Sequence, residues 1–183
     1  MLKDIFIKIL NQSKNSNNIL IYDKNIKYKE FYNLTFKYLN FFKKIYLKKN
    51  SVICMKMHYS IDFISIIFAA YINKNPITLL NPNCSDEEKN HVLKSSKSKI
   101  ILSDNELKPN GKKIILNSQE IFFKKIKIKN VKIFNSKDRF IIFTSGTTNK
   151  PKGAILTTSS FSNNILSICE NLKLKSFDKT LIF

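Results

Sequence analysis

The sequence predicts an α/β fold: a partly parallel sheet flanked by helices. Three observations carry that expectation. Between Ser51 and Leu102, apolar runs of strand length alternate with segments of helical period, the pattern of parallel strands joined by helical crossovers. Those strand-like runs are mostly apolar, as buried strands are. The 183 residues are 43% hydrophobic and 25% charged, which suits one domain or one large subdomain able to bury a sizeable core.

Each element follows in order. Met1 to Leu10 mixes charged with apolar residues and lacks a small-residue cleavage site, so residues 1–18 are expected to hold an amphipathic helix and no signal peptide. Ile19–Asp23 and Ile26–Tyr28 are short β-like runs separated by Lys24-Asn25, a hairpin turn. From Glu30 the period changes. Phe31, Leu34, Tyr38, Phe41, Phe42 and Ile45 recur at helical spacing, and this helix is expected to end near Lys48-Lys49-Asn50.

Ser51–Met55 reads as a buried strand, Ile61–Ile72 as a helix apolar on most faces, and Pro76–Leu80 as the next strand. Asn81-Pro82-Asn83 breaks that strand. Ser85 then caps a helix, with Glu88 three positions on as a capping-box partner. Ile100–Leu102 is another strand. Right-handed crossovers set the intervening helices against the sheet faces.

Ser103 to Asn135 is less regular, with a turn at Pro109-Asn110-Gly111 and a strand over Lys112–Leu116. Lysine-rich Lys124–Lys132 reads as a solvated connector. Residues 19–135 thus form an α/β subdomain. Residues 136–183 are a strand (Phe140–Thr144), a loop, a second strand (Ala154–Thr157) and a helix (Ser160–Leu172).

The formal charge of +19 invites a nucleic-acid reading. Arg139 is the only arginine, however, whereas base and phosphate readers favour the planar guanidinium fork. The lysines spread through the whole chain beside Ile and Asn, the signature of an A/T-rich genome, so no specific nucleic-acid partner is expected. Cys54, Cys84 and Cys169 are far apart and lack metal-ligand spacing, and each reads as a small hydrophobe in a reducing compartment. His58 and His91 are isolated. The longest apolar run, Phe63–Ile72, is about half a membrane span. A cytoplasmic protein without a membrane partner is expected.

The chemistry concentrates in one loop. Of three glycines in the chain, two lie between Thr144 and Gly153. Gly146 can adopt positive φ and bring the backbone close to a ligand. Successive N–H groups in such a turn make a concave anion site. Ser145, Thr147 and Thr148 add hydroxyl donors, Lys150 and Lys152 add positive charge, and Pro151 stiffens the turn between them. The segment is no Walker A loop, because its second glycine, Gly153, follows Lys152 and leads into a strand rather than a helix. Physical chemistry alone leaves open a Ser/Thr/Gly-rich surface hairpin whose lysines follow composition.

Thr144-Ser145-Gly146-Thr147-Thr148-Asn149-Lys150-Pro151-Lys152-Gly153 resembles the signature of the AMP-binding, adenylate-forming superfamily, which includes acyl-CoA synthetases, adenylation domains of nonribosomal peptide synthetases and luciferases. Lys27-Tyr28-Lys29-Glu30-Phe31 is similar to the family's early Thr-Tyr-x-Glu-Leu stretch. Ser51-Val52-Ile53 through Asn81-Pro82 resembles its strand, buried helix and next strand, and weaker likeness extends from Ile19 to Ile182. The fold then corresponds to the first part of the large N-terminal domain of these enzymes.

The resemblance implies a two-step reaction. A carboxylate attacks the α-phosphate of ATP to give an acyl-adenylate and pyrophosphate, and a thiol of CoA or of a carrier protein then takes the acyl group. Ser145, Thr147, Thr148 and Lys152 would contact the phosphates, Gly146 and Gly153 would act as backbone hinges, and Mg²⁺ would accompany ATP. Asn149 stands where the family usually has glycine, and asparagine tolerates left-handed backbone better than most residues. Thr158 stands where the family often has histidine. The family's adenine-binding segment, metal-binding glutamate, ribose-binding aspartate and catalytic lysine have no counterpart in these 183 residues. The expectation is an incomplete N-terminal AMP-binding domain that does not complete adenylation alone. It reads first as the ATP-binding portion of an acyl- or aminoacyl-adenylating ligase; the alternatives are a non-catalytic remnant or interaction module pairing with a separately encoded second half and, ranked below these, a basic nucleic-acid-binding protein. Fatty, aromatic and amino acid substrates all fit.

Overall fold

In the computed structural model, which describes residues 2–21, 24–116, 120–126, 138–144, 151–175 and 178, helix α1 (Leu2–Ser13) leads into a two-stranded antiparallel ribbon. Strands β1 (Ile19–Ile21) and β2 (Ile26–Lys27) turn at Asn25, whose φ of 50° suits asparagine. Helix α2 (Tyr28–Lys44) follows at once, with the Glu30 carboxylate accepting the Lys27 backbone N–H at 3.3 Å. It starts two residues before Glu30 and stops well short of Lys48. Tyr46, at φ 54°, turns the chain out of the helix, and the Leu47 N–H closes onto the Phe42 carbonyl at 3.0 Å.

Strand β3 (Ile53–Lys56), helix α3 (Ile61–Ile72), strand β4 (Ile77–Leu80), helix α4 (Asp86–Ser95) and strand β5 (Ile100–Ser103) are the alternating units the sequence predicts. Ser60 caps α3 by accepting the Phe63 N–H at 3.1 Å, and Ser85 caps α4 by accepting that of Glu88 at 3.1 Å. Strands β6 (Lys112–Ile115), β7 (Glu120–Lys125), β8 (Asp138–Thr144) and β9 (Lys152–Thr157) precede the last helix, α5 (Thr158–Asn171).

The main sheet has seven strands in the order β6-β7-β5-β3-β4-β8-β9. Its centre, β5-β3-β4-β8, is parallel, while β7 joins β5, β6 joins β7 and β9 joins β8 antiparallel. The architecture is therefore a mixed, mostly parallel sheet with flanking helices, as predicted. One expectation is corrected. The lysine-rich stretch does not begin as a connector, because Lys124 and Lys125 pair with Ile101 and Ile100 inside β7. Ile121 and Phe123 bury while the lysines lie on the wetter face or strand end, so a strand's period of two is satisfied. Residues 127–132 of that stretch lie outside the described residues.

The sheet has a core on each face. Ile53 and Met55 of β3 and Ile100 and Leu102 of β5 pack with Phe31, Leu34, Tyr38 and Phe42 of α2 and Ile66 and Ala69 of α3. Cys54 and Ile101, one residue out of phase, pack on the other face with Val92 and Leu93 of α4. Tyr38 and Asp62 form a buried polar link between α2 and α3, the hydroxyl donating to Oδ1 at 2.6 Å.

Candidate functional site

From β3 the chain crosses one way to β4, and from β4 it crosses back over β3 to β5. The strand order therefore reverses between β3 and β4. In open α/β sheets a crevice outside the carboxyl ends of the strands at such a reversal is the usual ligand site. Strand β8 runs parallel beside β4, about 4.8 Å away, and delivers its carboxyl end to the same edge. A buried side-chain bond fixes that placement: Thr78 Oγ1 of β4 donates to the Ile141 carbonyl of β8 at 2.8 Å.

The candidate loop springs from this edge. Thr144 ends β8 and Lys152 begins β9, and the two are antiparallel partners, so seven residues, 145–151, form the connection. Of the predicted phosphate-binding residues, Thr144, Pro151, Lys152 and Gly153 are described, and they form the paired base of the loop. Ser145, Gly146, Thr147, Thr148, Asn149 and Lys150 lie outside the described residues. The two strands expected to hold the loop are both present, and β9 reaches further toward it than the predicted Ala154 start.

Thr144, Lys152 and Gly153 are exposed, and Pro151 is half-buried. Gly153 lies opposite Phe143, with its φ outside the left-handed region. A Cβ there would meet Phe143 Cζ at 3.0 Å and Ile141 Cγ2 at 3.2 Å. The glycine thus lets the Phe143 ring lie over the backbone of β9. Phe143 in turn packs against the core that holds Cys54, Leu80 and Val92.

Two histidines that look isolated in sequence have partners here. His91 of α4 donates from Nε2 to the Pro151 carbonyl at 2.9 Å, and its ring stands edge-on to Phe143 with centroids 6.3 Å apart. His58, just beyond β3, places its backbone N–H 2.8 Å and its Nδ1 2.7 Å from Asp104 Oδ2, just beyond β5. Neither pairing has a signal in local sequence, since the partners are 60 and 46 residues apart. Asp62 is bound to Tyr38 and Glu88 lies in the first turn of α4; Asp23 lies outside the described residues.

Burial pushes the Cys54 thiol up to about 12, with the neighbouring Cys84 adding to the rise. It raises the Cys84 thiol as well. Neither is a thiolate near neutral pH, and neither suits nucleophilic work. Among the described residues no three His, Cys, Asp or Glu side chains converge to hold a metal ion, and no helix is long and apolar enough to cross a membrane. A groove of about 410 Å³ lined by Lys37, Phe41, Lys44 and Ile114 lies beside β6, at the far edge of the sheet from the loop.

Comparison with known proteins bears on the family and the fold. The model of the AMP-binding enzyme family matches residues 10–183. No curated protein matches the chain in sequence. Among solved structures, o-succinylbenzoate CoA synthetase (MenE) from Bacillus subtilis, in complex with its acyl-adenylate intermediate, superposes with a TM-score of 0.68 at 17% identity, covering 93% of this chain and 47% of that one. The four-domain nonribosomal peptide synthetase AB3403, bound to AMP and glycine, gives 0.71 at 14% identity, covering 96% of this chain and 13% of that one. The N-terminal subdomain of Klebsiella oxytoca NpsA, in complex with 3-hydroxyanthranilyl-AMSN, gives 0.61 at 17% identity, covering 84% and 39%. These likenesses establish a shared fold, and the chain spans less than half the length of each of the three.

Proposed function

Because the chain belongs to the AMP-binding enzyme family, we propose that it supplies the nucleotide-phosphate grip of an acyl- or aminoacyl-adenylating ligase. The observation that carries the reading is the site of the loop. A segment rich in hydroxyls, lysines and glycine leaves the carboxyl end of β8, next to the reversal point of a parallel sheet.

In the proposed reaction a substrate carboxylate oxygen bonds to the α-phosphorus of ATP, and the bond from that phosphorus to the bridging oxygen of pyrophosphate breaks. Negative charge builds on the departing pyrophosphate. Ser145, Thr147 and Thr148 are assigned as hydroxyl donors to its oxygens, with the backbone N–H groups around Gly146 beside them. Lys152 brings a positive charge from the first position of β9. Donors fixed around a leaving group stabilise its charge without reorganising during the step. The hairpin base, Thr144 against Lys152, ties the two ends of the loop together.

Magnesium would arrive with the nucleotide, held mainly by the phosphates and water as this ion prefers. The described side chains make no cage of their own for it, and no step here runs through it. Transfer of the acyl group to a CoA or carrier-protein thiol belongs to the same proposal, as does the choice among carboxylic and amino acids.

Titration calorimetry of the purified chain with MgATP and with pyrophosphate tests the reading. Saturable binding of both, with adenosine alone binding far more weakly, is the expected result. Absence of any saturable pyrophosphate binding would remove the phosphate grip.

A further inference from the structure

The loop signature covers residues 144–153, but one side chain outside it touches both of the loop's limbs. His91 lies in α4, the helix that crosses back from β4 to β5. Its Nε2 is 2.9 Å from the carbonyl oxygen of Pro151, the last residue before β9. A carbonyl only accepts, so Nε2 carries the hydrogen. The same ring meets Phe143, the penultimate residue of β8, edge to face at 83°. The entering and leaving limbs are thus both held against α4 by one imidazole.

The bond has a particular place in the chain. Proline has no N–H, so the carbonyl is the only main-chain hydrogen-bonding group Pro151 offers. That carbonyl shares its peptide plane with the N–H of Lys152. Fixing the plane fixes the direction in which the chain enters β9 and the origin of the Lys152 side chain. Gly153 follows, packed under Phe143, which His91 also touches. Valine and leucine at the next two positions, Val92 and Leu93, bury α4 in the core, so the imidazole projects from a firm base.

We propose that His91 is a positioning residue of the phosphate site: a latch from α4 that holds the Pro151–Gly153 limb in register with β8, keeping Lys152 where the loop needs it. The proposal rests on reading the loop as a nucleotide-phosphate site. The latch itself is measured without nucleotide.

The test uses the full chain in three forms: wild type, His91→Phe and His91→Gln. Phenylalanine keeps a ring against Phe143 but removes the donor, whereas glutamine restores an N–H at similar reach. Amide hydrogen exchange of the peptide covering residues 144–156 is followed beside that of β3 and α2. His91→Phe is expected to speed exchange in that peptide about 3- to 10-fold, the range for loss of one neutral hydrogen bond, with β3 and α2 unchanged. His91→Gln is expected to bring the rate back toward wild type, and MgATP affinity is expected to fall and recover in parallel. Unchanged exchange in His91→Phe, or faster exchange spread evenly over β3 and α2, overturns the latch. So does a His91→Gln variant as fast as His91→Phe. If exchange behaves as expected and wild type binds no MgATP, the latch stands as a structural device and the phosphate reading fails instead.

Discussion

Phe143 and Gly153 face each other across the hairpin that bears the loop, and a Cβ at Gly153 would stand in tight contact with the Phe143 ring. At 3.0 Å from Cζ, a methyl forces the ring to give by a few tenths of an ångström, and a branched side chain forces more. Gly153→Val is therefore expected to destabilise the chain by about 1–3 kcal/mol, the usual cost of overpacking. Phe143→Ala in the same chain should recover part of that loss. A double-mutant cycle in urea checks it, and a coupling energy near zero would falsify the contact as the reason for glycine.

Lys152 opens β9 with its side chain exposed. If it meets a phosphate oxygen, Lys152→Ala should weaken MgATP by about 1.5–3 kcal/mol, the range for a charged hydrogen bond. Stability should scarcely change, since nothing in the core depends on the side chain. Calorimetry of the two proteins at one salt concentration gives the answer; equal affinities would remove Lys152 from the site.

The buried bond from Tyr38 to Asp62 joins the two helices that cover one face of the sheet. Tyr38→Phe should cost about 1.5–3 kcal/mol, because a buried carboxylate loses a donor at 2.6 Å. Tyr38→Phe combined with Asp62→Leu removes both ends of this bond, and the double-mutant cycle built from the two changes measures its coupling. Urea midpoints at neutral pH decide it, and a Tyr38→Phe protein within about 0.5 kcal/mol of wild type contradicts it.

Alkaline pH should weaken the fold through Cys54. Burial lifts its thiol from 9.0 to about 12. The folded chain thus keeps a proton that the unfolded chain gives up, so this contribution is complete below pH 9 and is lost as pH rises toward 12. Tyr38, whose hydroxyl is pushed well above its usual range by burial and by the Asp62 charge, acts in the same direction at higher pH. Loss of lysine charge relieves repulsion and opposes both, so the useful quantity is the difference from Cys54→Ala. Between pH 8 and pH 10.5, wild type should lose stability more steeply than Cys54→Ala, by up to about 1.4 kcal/mol per pH unit above 9. Parallel curves would refute it.

Much of this was legible in the sequence because it is written in local period and local chemistry. Phe31, Leu34, Tyr38 and Phe42 are buried as their helical spacing predicts, and Ser85 caps α4 as predicted by accepting the Glu88 N–H. The loop's two flanking strands were legible from apolar runs on either side. Strand β7 was missed because its lysines outweighed the alternation of Ile121 and Phe123, which carries the strand. The partners of His58 and His91 were missed for a different reason. Asp104 and Pro151 come near only when β5 and β9 join the sheet, and no local pattern encodes a meeting across 46 or 60 residues.

The Thr78–Ile141 bond also has a kinetic meaning. Partners in β3 and β4, such as Ile53 and Ile77, are 24 residues apart, while Thr78 and Ile141 are separated by 63. Closing the longer span costs more chain entropy and is rewarded only once β4 is already in place to receive β8. The hairpin bearing the loop is therefore expected to dock late in folding. Pulse-labelled exchange should protect β3 and β4 before β8, and simultaneous protection would contradict that order. A chain that arranges itself this way gathers its hydrophobic frame first and completes the hairpin that bears the loop only at the last stage.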